Sequence, residues 1–400
     1  MVANISVMVI MEDMKNMVNM VTTVNNRLKV HPVVWDGLYF LFKKFRFNRA
    51  KMLLGNFVRI LPVLLILGIV LTGCGDSFES AESTEKIFAM DTYMTVTAYG
   101  EGALEAVSEA KNIITQYDNM LSVTDKNSLI YTLNTKGVGD VSKELIYMID
   151  YSKKIHSMTD GAFDITTYPL KQLWGFGSDE YNVPDDEAIS KCKNFLGMDS
   201  ILVDHEKSKI SYEIDGMKID MGGIAKGYVS DEIINHWRKS EIKSGIINLG
   251  GNVFCLGHKT DGSLWNVAIE NPDNSTIDGA YLGTVSVSDK AVITSGAYER
   301  YFKKNGKIYH HIIDPTTGRP SDSGLLSVSV ISENATLADG LSTAFYILGI
   351  DKTINIWQSN RALFDFVICD DAGDVYVSNG IADNFKSEQK VIIVDEERTK

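Results

Sequence analysis

From residue 86 onward the chain alternates between two hydrophobic periodicities. Met94–Tyr99 alternates apolar and polar positions and predicts a strand. Leu104, Val107, Ala110, Ile113, Ile114 and Tyr117 recur at intervals of three and four, which predicts a helix over Gly102–Met120. Leu145, Met148, Ile149 and Ile155 predict a second helix over Val141–Ser157, and Asp185–Phe195 reads as a third. Ile201–Val203, Lys209–Ile214 and Met217–Met221 predict consecutive strands, after which Gly222-Gly223 opens a helix over Ile224–Lys239. Strands are then expected at Gly245–Leu249, Phe254–Gly257, Trp265–Glu270, Leu282–Val287, Ala291–Thr294 and Leu325–Ile331. A helix over Thr336–Leu348 follows, and strands within Ala362–Ser378 and at Val391–Val394 complete the pattern. No fixed-period repeat is present, and no G-x-G-x-x-G follows an early strand, which disfavours a dinucleotide-binding unit. Hairpins beside segregated helices place the chain in the α+β class.

Upstream the pattern changes. Ile60–Leu71 is an unbroken apolar run of 12 residues, too short for a spanning helix of about 20. Lys43, Lys44, Arg46, Arg49, Lys51 and Arg59 precede it, and Leu71-Thr72-Gly73-Cys74 follows. Basic flank, short apolar core and small residues read as a secretory signal. The series resembles the bacterial lipobox, in which the peptidase cuts before the Cys and the thiol carries acyl chains such as palmitate. The expected organisation is a leader over 1–73, a polar lipidated tether over 74–85 and one domain over 86–400. The stretch 1–48 shows no domain pattern and reads as an over-extended start, with Met52 or a nearby site as initiator. The resulting address is the extracytoplasmic face of the cell membrane.

Charge sharpens this division. The chain has 39 Lys/Arg and 52 Asp/Glu, net −13, yet residues 1–73 hold nine basic and three acidic residues. So acidic a body disfavours nucleic acid as a partner. Cys192, Cys255 and Cys369 remain once Cys74 is assigned to lipid; their spacing suits neither metal nor redox chemistry, so they are expected as packed thiols.

Several segments carry candidate chemistry. In Ile219-Asp220-Met221-Gly222-Gly223-Ile224-Ala225-Lys226, two glycines join an extended segment to a helix whose free N–H groups suit a phosphate. Lys226, about one turn in, adds a point charge; the alternative is a plain strand–turn–helix with Asp220 as a local cap. Asp339 and Thr343 share one face of a nearly uncharged helix. A carboxylate buried there needs an answer, from a cation or from an element that it caps. Hard oxygen donors of this kind suit Mg2+. His310 and His311, adjacent on a strand, point to opposite faces, so one faces a site and the other core or solvent. The plain alternative for this segment is that Asp314 and Arg319 simply pair across the following turn. Thr294–Tyr301 and Asp160–Thr166 are weaker signals of the same kind.

Taken together and in order, these segments resemble the ApbE family of Mg2+-dependent FAD:protein FMN transferases, over roughly Ile87–Ile350. Met90-Asp91-Thr92 is similar to the family's Met-Gly-Thr, with Asp in place of Gly. Leu121-Ser122 matches its Leu-Ser pair, with Thr124 where an aromatic is usual. Asp160-Gly161-Ala162-Phe163-Asp164 matches its Gly-Ala-Phe-Asp stretch. The resemblance implies an α+β, T-fold-related domain. It implies FAD contacts from Met90, Thr124, Ala162, Phe163, Asp164, Asp220, Lys226, Tyr298 and Ile313. Metal ligands would come from the Gly223 carbonyl, Asp339, Thr343 and Ser342, holding Mg2+ or Mn2+.

The implied reaction attaches FMN to a Thr or Ser hydroxyl of an acceptor protein and releases AMP, with His311 or Asp339 as the base. Acceptors would be subunits of membrane redox complexes or extracytoplasmic flavoproteins. Two rivals keep the same residues: an FAD pyrophosphatase that yields FMN and AMP, and a flavin-binding lipoprotein without catalysis.

Overall fold

The computed structural model describes residues 81–178, 180–272 and 281–395. Cys74, the apolar run and most of the expected tether lie outside the described residues. The tether also ends earlier than expected. Glu82–Glu85 are strand, because Glu82–Ala89 (β1) pairs along its whole length with Thr92–Tyr99 (β2). The two-residue turn between them places Met90 and Asp91 at φ +49° and +59°.

That hairpin opens a nine-stranded sheet. Its other strands are Ser244–Leu249 (β3), Asn252–Leu256 (β4), Lys290–Gly296 (β5), Leu325–Ser332 (β6), Asp365–Asp370 (β7), Val375–Ser378 (β8) and Val391–Val394 (β9). The strands lie in chain order. Every neighbouring pair is antiparallel except β8 and β9, which are parallel.

Most helices fall between β2 and β3. They are Ala103–Leu121 (α1), Leu129–Lys136 (α2), Lys143–Met158 (α3), Tyr168–Trp174 (α4), Asp186–Lys193 (α5) and Ala225–Lys239 (α6). Ala335–Leu348 (α7) and Ile350–Asn360 (α8) follow β6. Capping explains several starts: the side chains of Ser128, Ser142, Asp185 and Asn334 accept N–H groups from the first turns of α2, α3, α5 and α7. The short helix α2 was not legible in the periodicity. Leu104 of α1 fits the apolar spacing yet is 70% exposed.

One face of the sheet packs on α1, α6 and α7 around Ile114, Trp237, Phe345 and Phe366. The other face is covered by a small sheet of Trp265–Glu270, Tyr281–Val287 and Phe385–Lys386. Cys192, Cys255 and Cys369 are buried thiols that form no disulfide, as expected. No helix among the described residues is long and apolar enough to cross a membrane.

Met217–Met221, expected as a strand, joins no sheet. The backbone of Ile219 is satisfied instead by one side chain: Asn134 Oδ1 accepts its N–H (2.8 Å) and Asn134 Nδ2 donates to its carbonyl (2.8 Å). The Asp220 N–H goes to the Ile165 carbonyl at 2.9 Å. An amide side chain thus does the work of a neighbouring strand.

Helices α6 and α7 are clamped reciprocally. Asp231 of α6 accepts the N–H groups of Ala335 and Thr336, at 2.9 and 2.8 Å, at the start of α7. Asp339 of α7 accepts the N–H of Gly227, in the first turn of α6, at 2.8 Å. The helices meet so closely that a Cβ at Gly227 would stand 2.3 Å from the Ala335 carbonyl oxygen and 2.7 Å from the Asp339 Cβ. Gly227→Ala should therefore destabilise the protein by about 1–3 kcal/mol through overpacking. Gly139→Ala, where the nearest atom would be 3.8 Å away, should cost far less. Urea unfolding of the two variants checks the difference.

Candidate active site

An open cleft lies where the α3–α4 connection, the start of α6, the end of β5, the segment after His310 and the side of α7 converge. Ala162, Phe163, Asp164, Asp220, Gly223, Lys226, His311, Ile313, Asp339 and Thr343 all line it. Residues scattered over nearly 200 positions of sequence are thus brought to one place.

The Asp220 carboxylate is held twice. Its Oδ1 accepts the Gly222 N–H at 2.9 Å, and its Oδ2 pairs with Lys171 Nζ at 2.7 Å. Burial alone would raise this carboxyl, but the Lys171 charge, with the Gly222 N–H and Arg300, holds it below the usual range. Asp220 is therefore a turn-bracing anion and caps no helix. The turn that it braces leads to Gly223, where a Cβ would stand 3.1 Å from the Phe163 ring.

Asp339 is almost fully buried. Besides the Gly227 N–H it accepts the Asn252 amide at Oδ1, 2.9 Å away, and Asn252 Oδ1 in turn accepts Lys226 Nζ at 3.3 Å. Asp339 thus caps another element, one of the two alternatives for a buried carboxylate here. Each oxygen keeps a second acceptor site, so this role leaves the cation alternative open. The Thr343 hydroxyl lines the cleft beside the Ser295 hydroxyl, 3.3 Å away. Ser342 is fully buried, donates to the Asp339 carbonyl at 2.9 Å and contacts Ser295 at 2.9 Å, and does not line the cleft.

The histidine pair divides as the strand geometry requires. His310 turns into the core, where Nε2 meets the Ser321 carbonyl at 2.9 Å and the ring packs edge-on against Tyr346. His311 lines the cleft, with Nδ1 3.2 Å from the Arg300 carbonyl. In the tautomer that donates there, Nε2 is a bare acceptor. Burial, then the charges of Lys171 and Arg300, push its pKa down to about 3.

Three other expected contacts stand apart from the cleft lining. Met90 is in the β1–β2 turn, donating its N–H to Asp118 Oδ1 at 2.8 Å. Thr124 sits in the loop after α1, where its N–H reaches the Ser122 hydroxyl at 3.3 Å. Tyr298 packs its ring against Gly296, where a Cβ would stand only 2.3 Å from it. Arg319 pairs with Asp186 of α5, not with Asp314, whose carboxylate braces the turn at the Thr316 N–H. Asp164, one of the implied FAD contacts, lines the cleft and spends Oδ1 on the N–H and hydroxyl of Thr166.

Lys171 and Asn252 line the cleft and were not among the candidate residues, while Ser295 and Glu299 belong to Thr294–Tyr301, expected only as a weaker signal. Asn252 directly after Gly250-Gly251 was the nearest thing to a signal. Burial raises the Glu299 carboxyl, opposed by Lys226.

Comparison with known proteins extends this picture. The ApbE family model matches residues 90–367. An FAD:protein FMN transferase of Haemophilus influenzae is 27% identical over 335 residues, 79% of this chain and 96% of its own. One from Klebsiella pneumoniae is 32% identical over 248 residues, 61% of this chain and 76% of its own. The crystal structure of the ApbE protein of Thermotoga maritima superposes with a TM-score of 0.71 at 28% identity, covering 77% of this chain and all of that one. The flavinyl transferase ApbE of Pseudomonas stutzeri, in its apo form, gives 0.66 at 28%, covering 74% and 93%.

The Lys171–Asp220 pair yields a test. Lys171→Met should cost about 2 kcal/mol at pH 7, because it leaves a mostly buried carboxylate with one donor fewer. The Asp220 carboxyl sits below its ordinary 3.8, so its contribution is present above that pH and lost as pH falls below it. Urea unfolding of both proteins at pH 7 and at successively lower pH should show the difference shrinking below pH 3.8.

Proposed function

The chain belongs to the ApbE family, and from that premise we propose that its cleft moves FMN from FAD onto a Thr or Ser hydroxyl of an acceptor protein with Mg2+. The enzyme is an FAD:protein FMN transferase. The observation that carries the finer reading is the meeting, in one cleft, of the Gly222-Gly223 turn, Lys226, the Asp339–Thr343 face and His311.

The pyrophosphate of FAD fits the start of α6. The Lys226 ammonium neutralises it and Asn252 fixes the lysine, while the N–H groups of Gly222, Ile224 and Ala225 are spent on Asp220 and Met221 and brace the turn. The donor set around Asp339 suits a hard divalent cation: a carboxylate with acceptor sites to spare, the Thr343 hydroxyl and the Gly223 carbonyl. Mg2+ bound there would supply positive charge to the pyrophosphate oxygens. Mn2+ suits the same donors.

His311 is the base. Its Nδ1 is committed to Arg300, its Nε2 is bare, and its ring stays neutral well below pH 7. The acceptor hydroxyl gives its proton to Nε2, and its oxygen attacks the FMN-side phosphorus. The bond from that phosphorus to the bridging oxygen breaks, and AMP leaves with the bridging oxygen. Asp339 is the poorer base, since both of its oxygens already accept N–H groups. Positioning and charge supply most of the rate, as in other phosphoryl transfers.

The anchor belongs to the same proposal. Cys74 carries the lipid and the domain works on the extracytoplasmic face, supported by the basic flank, short apolar core and Leu-Thr-Gly-Cys series. The acceptor is then a redox-complex subunit or an extracytoplasmic flavoprotein.

EDTA should abolish transfer and Mg2+ restore it, read by mass spectrometry of an acceptor incubated with FAD. Asp339→Asn should flatten the Mg2+ titration; curves that coincide with wild type would reduce Asp339 to its capping role. His311→Gln should lower kcat by about 10²–10⁴-fold with FAD affinity little changed. Because His311 stays neutral down to about 3, kcat/KM should show no acid limb centred near pH 6.5. A limb there that disappears in His311→Gln would contradict the neutral imidazole.

A further inference from the structure

Between Glu299 and His311, both in the cleft lining, the chain runs out and back as a two-stranded hairpin, Tyr301–Lys304 against Lys307–His310. Asn305 and Gly306 close it at φ +52° and +77°, a tight turn that suits the twist of paired strands. Two strands alone are marginal in water, and this pair is held by its aromatic side. Phe302 stacks on Tyr309 at 5.2 Å and Tyr181 at 4.8 Å, and Tyr309 lies 5.5 Å from Trp174. The hairpin is therefore an arm seated on α4 through its aromatic side.

Its remaining side chains are unusual for this chain. Arg300, Lys303, Lys304 and Lys307 are basic, no acidic residue occurs from 300 to 313, and the chain as a whole is −13. Lys304 stands directly opposite Lys307 across the ladder. Like charges in that relation destabilise a hairpin. Arg300 has a distant partner, Asp91, at 4.0 Å. Among the described residues Lys303, Lys304 and Lys307 have no acidic partner, only the rings of Tyr301 and Tyr309 beneath Lys303 and Lys307. Beside these charges Tyr301 and Ile308 are 44% and 49% exposed.

We propose that this hairpin is the docking arm for the acceptor polypeptide and takes an acidic segment that flanks the hydroxyl to be modified. The inference rests on the transferase reading and deepens it. Charge complementarity sets the sign of the partner: an anionic segment relieves the repulsion that the arm carries alone. Continuity with the cleft sets its place, because the Arg300 carbonyl at the base of the arm holds both the N–H and the Nδ1 of His311, at 3.1 and 3.2 Å. A segment lying along the arm delivers its neighbouring hydroxyl toward the base. The exposed Tyr301 and Ile308 give that segment apolar contact, and the lysines speed encounter.

The test uses the full chain and three fluorescein-labelled peptides that share a central Thr and apolar residues and differ in flanks of Asp/Glu, Gln or Lys. Fluorescence anisotropy should show the acidic peptide binding at least about tenfold more tightly than the other two, with an affinity that falls as salt rises. The variant Lys303→Gln/Lys304→Gln/Lys307→Gln should lose that preference and its salt dependence, while its FAD affinity stays at the wild-type value and its melting temperature does not fall. Equal binding of the three peptides, or a triple variant that binds like wild type, overturns the proposal. So does binding of the arm to phosphatidylglycerol vesicles with no preference among peptides, which would make it a membrane-facing surface. FMN mass gained by an acceptor protein incubated with FAD and Mg2+, followed separately, reports on the transferase reading: its absence would remove that reading whatever the peptides do.

Discussion

A carboxylate removed from water must be answered by donors, and two such carboxylates join helices α6 and α7. Asp231 answers the open amides at the start of α7, and Asp339 answers the Gly227 amide at the start of α6. Each helix caps the other. The arrangement fixes where α6 begins, and therefore where Gly222-Gly223 and Lys226 stand against the Asp339–Thr343 face. Asn252 at the head of β4 ties the same carboxylate to the sheet. The cleft exists because these three elements are held at one point by charge-assisted hydrogen bonds, and Gly227 is there because no side chain fits between them.

The electrostatics of the cleft follow from how its charges are distributed. Lys171 and Lys226 each lie against a polar anchor, Asp220 and Asn252, so both ammonium groups keep a fixed position. Their field, added to burial, keeps His311 neutral. The same burial acts on Glu299 in the opposite chemical sense and favours its protonated form. Under the proposed transfer reaction, the pyrophosphate would meet fixed cations and a neutral imidazole, so little charge would have to be rearranged when ligand enters.

Much of this was legible in the residues. The helical spacing in α1, α3 and α7 and the alternation in β2 and the strand Trp265–Glu270 gave those elements nearly to their ends, and the order of the short motifs pointed to the family. What escaped had specific causes. Met217–Met221 looks like a strand because it is extended and apolar, but its partner is the Asn134 side chain, which no periodicity reveals. Asp339 was rightly singled out as a buried charge, yet its donors lie in α6 and β4, far along the chain. Lys171 carries no local pattern at all; only the meeting of α4 with the rest makes it part of the site. Ser342 and Thr343 are neighbours in sequence, but the turn of α7 sends one hydroxyl back to the helix backbone and the other into the cleft.

The order of the sheet has a thermodynamic consequence. Its strands follow one another along the chain, but residues 100–243 are inserted between β2 and β3. The cleft takes Asp220 and Lys226 from that insertion, and Ser295, His311 and Asp339 from the strands and helix beyond it. Neither portion owns a binding surface by itself. Whatever binds the cleft therefore stabilises only the state in which both portions are assembled, by an amount that grows with the logarithm of its concentration. Ligand acts as a clasp across the whole molecule: partial openings that separate the insertion from the sheet must first give it up, so its supply sets how long the chain resists a protease.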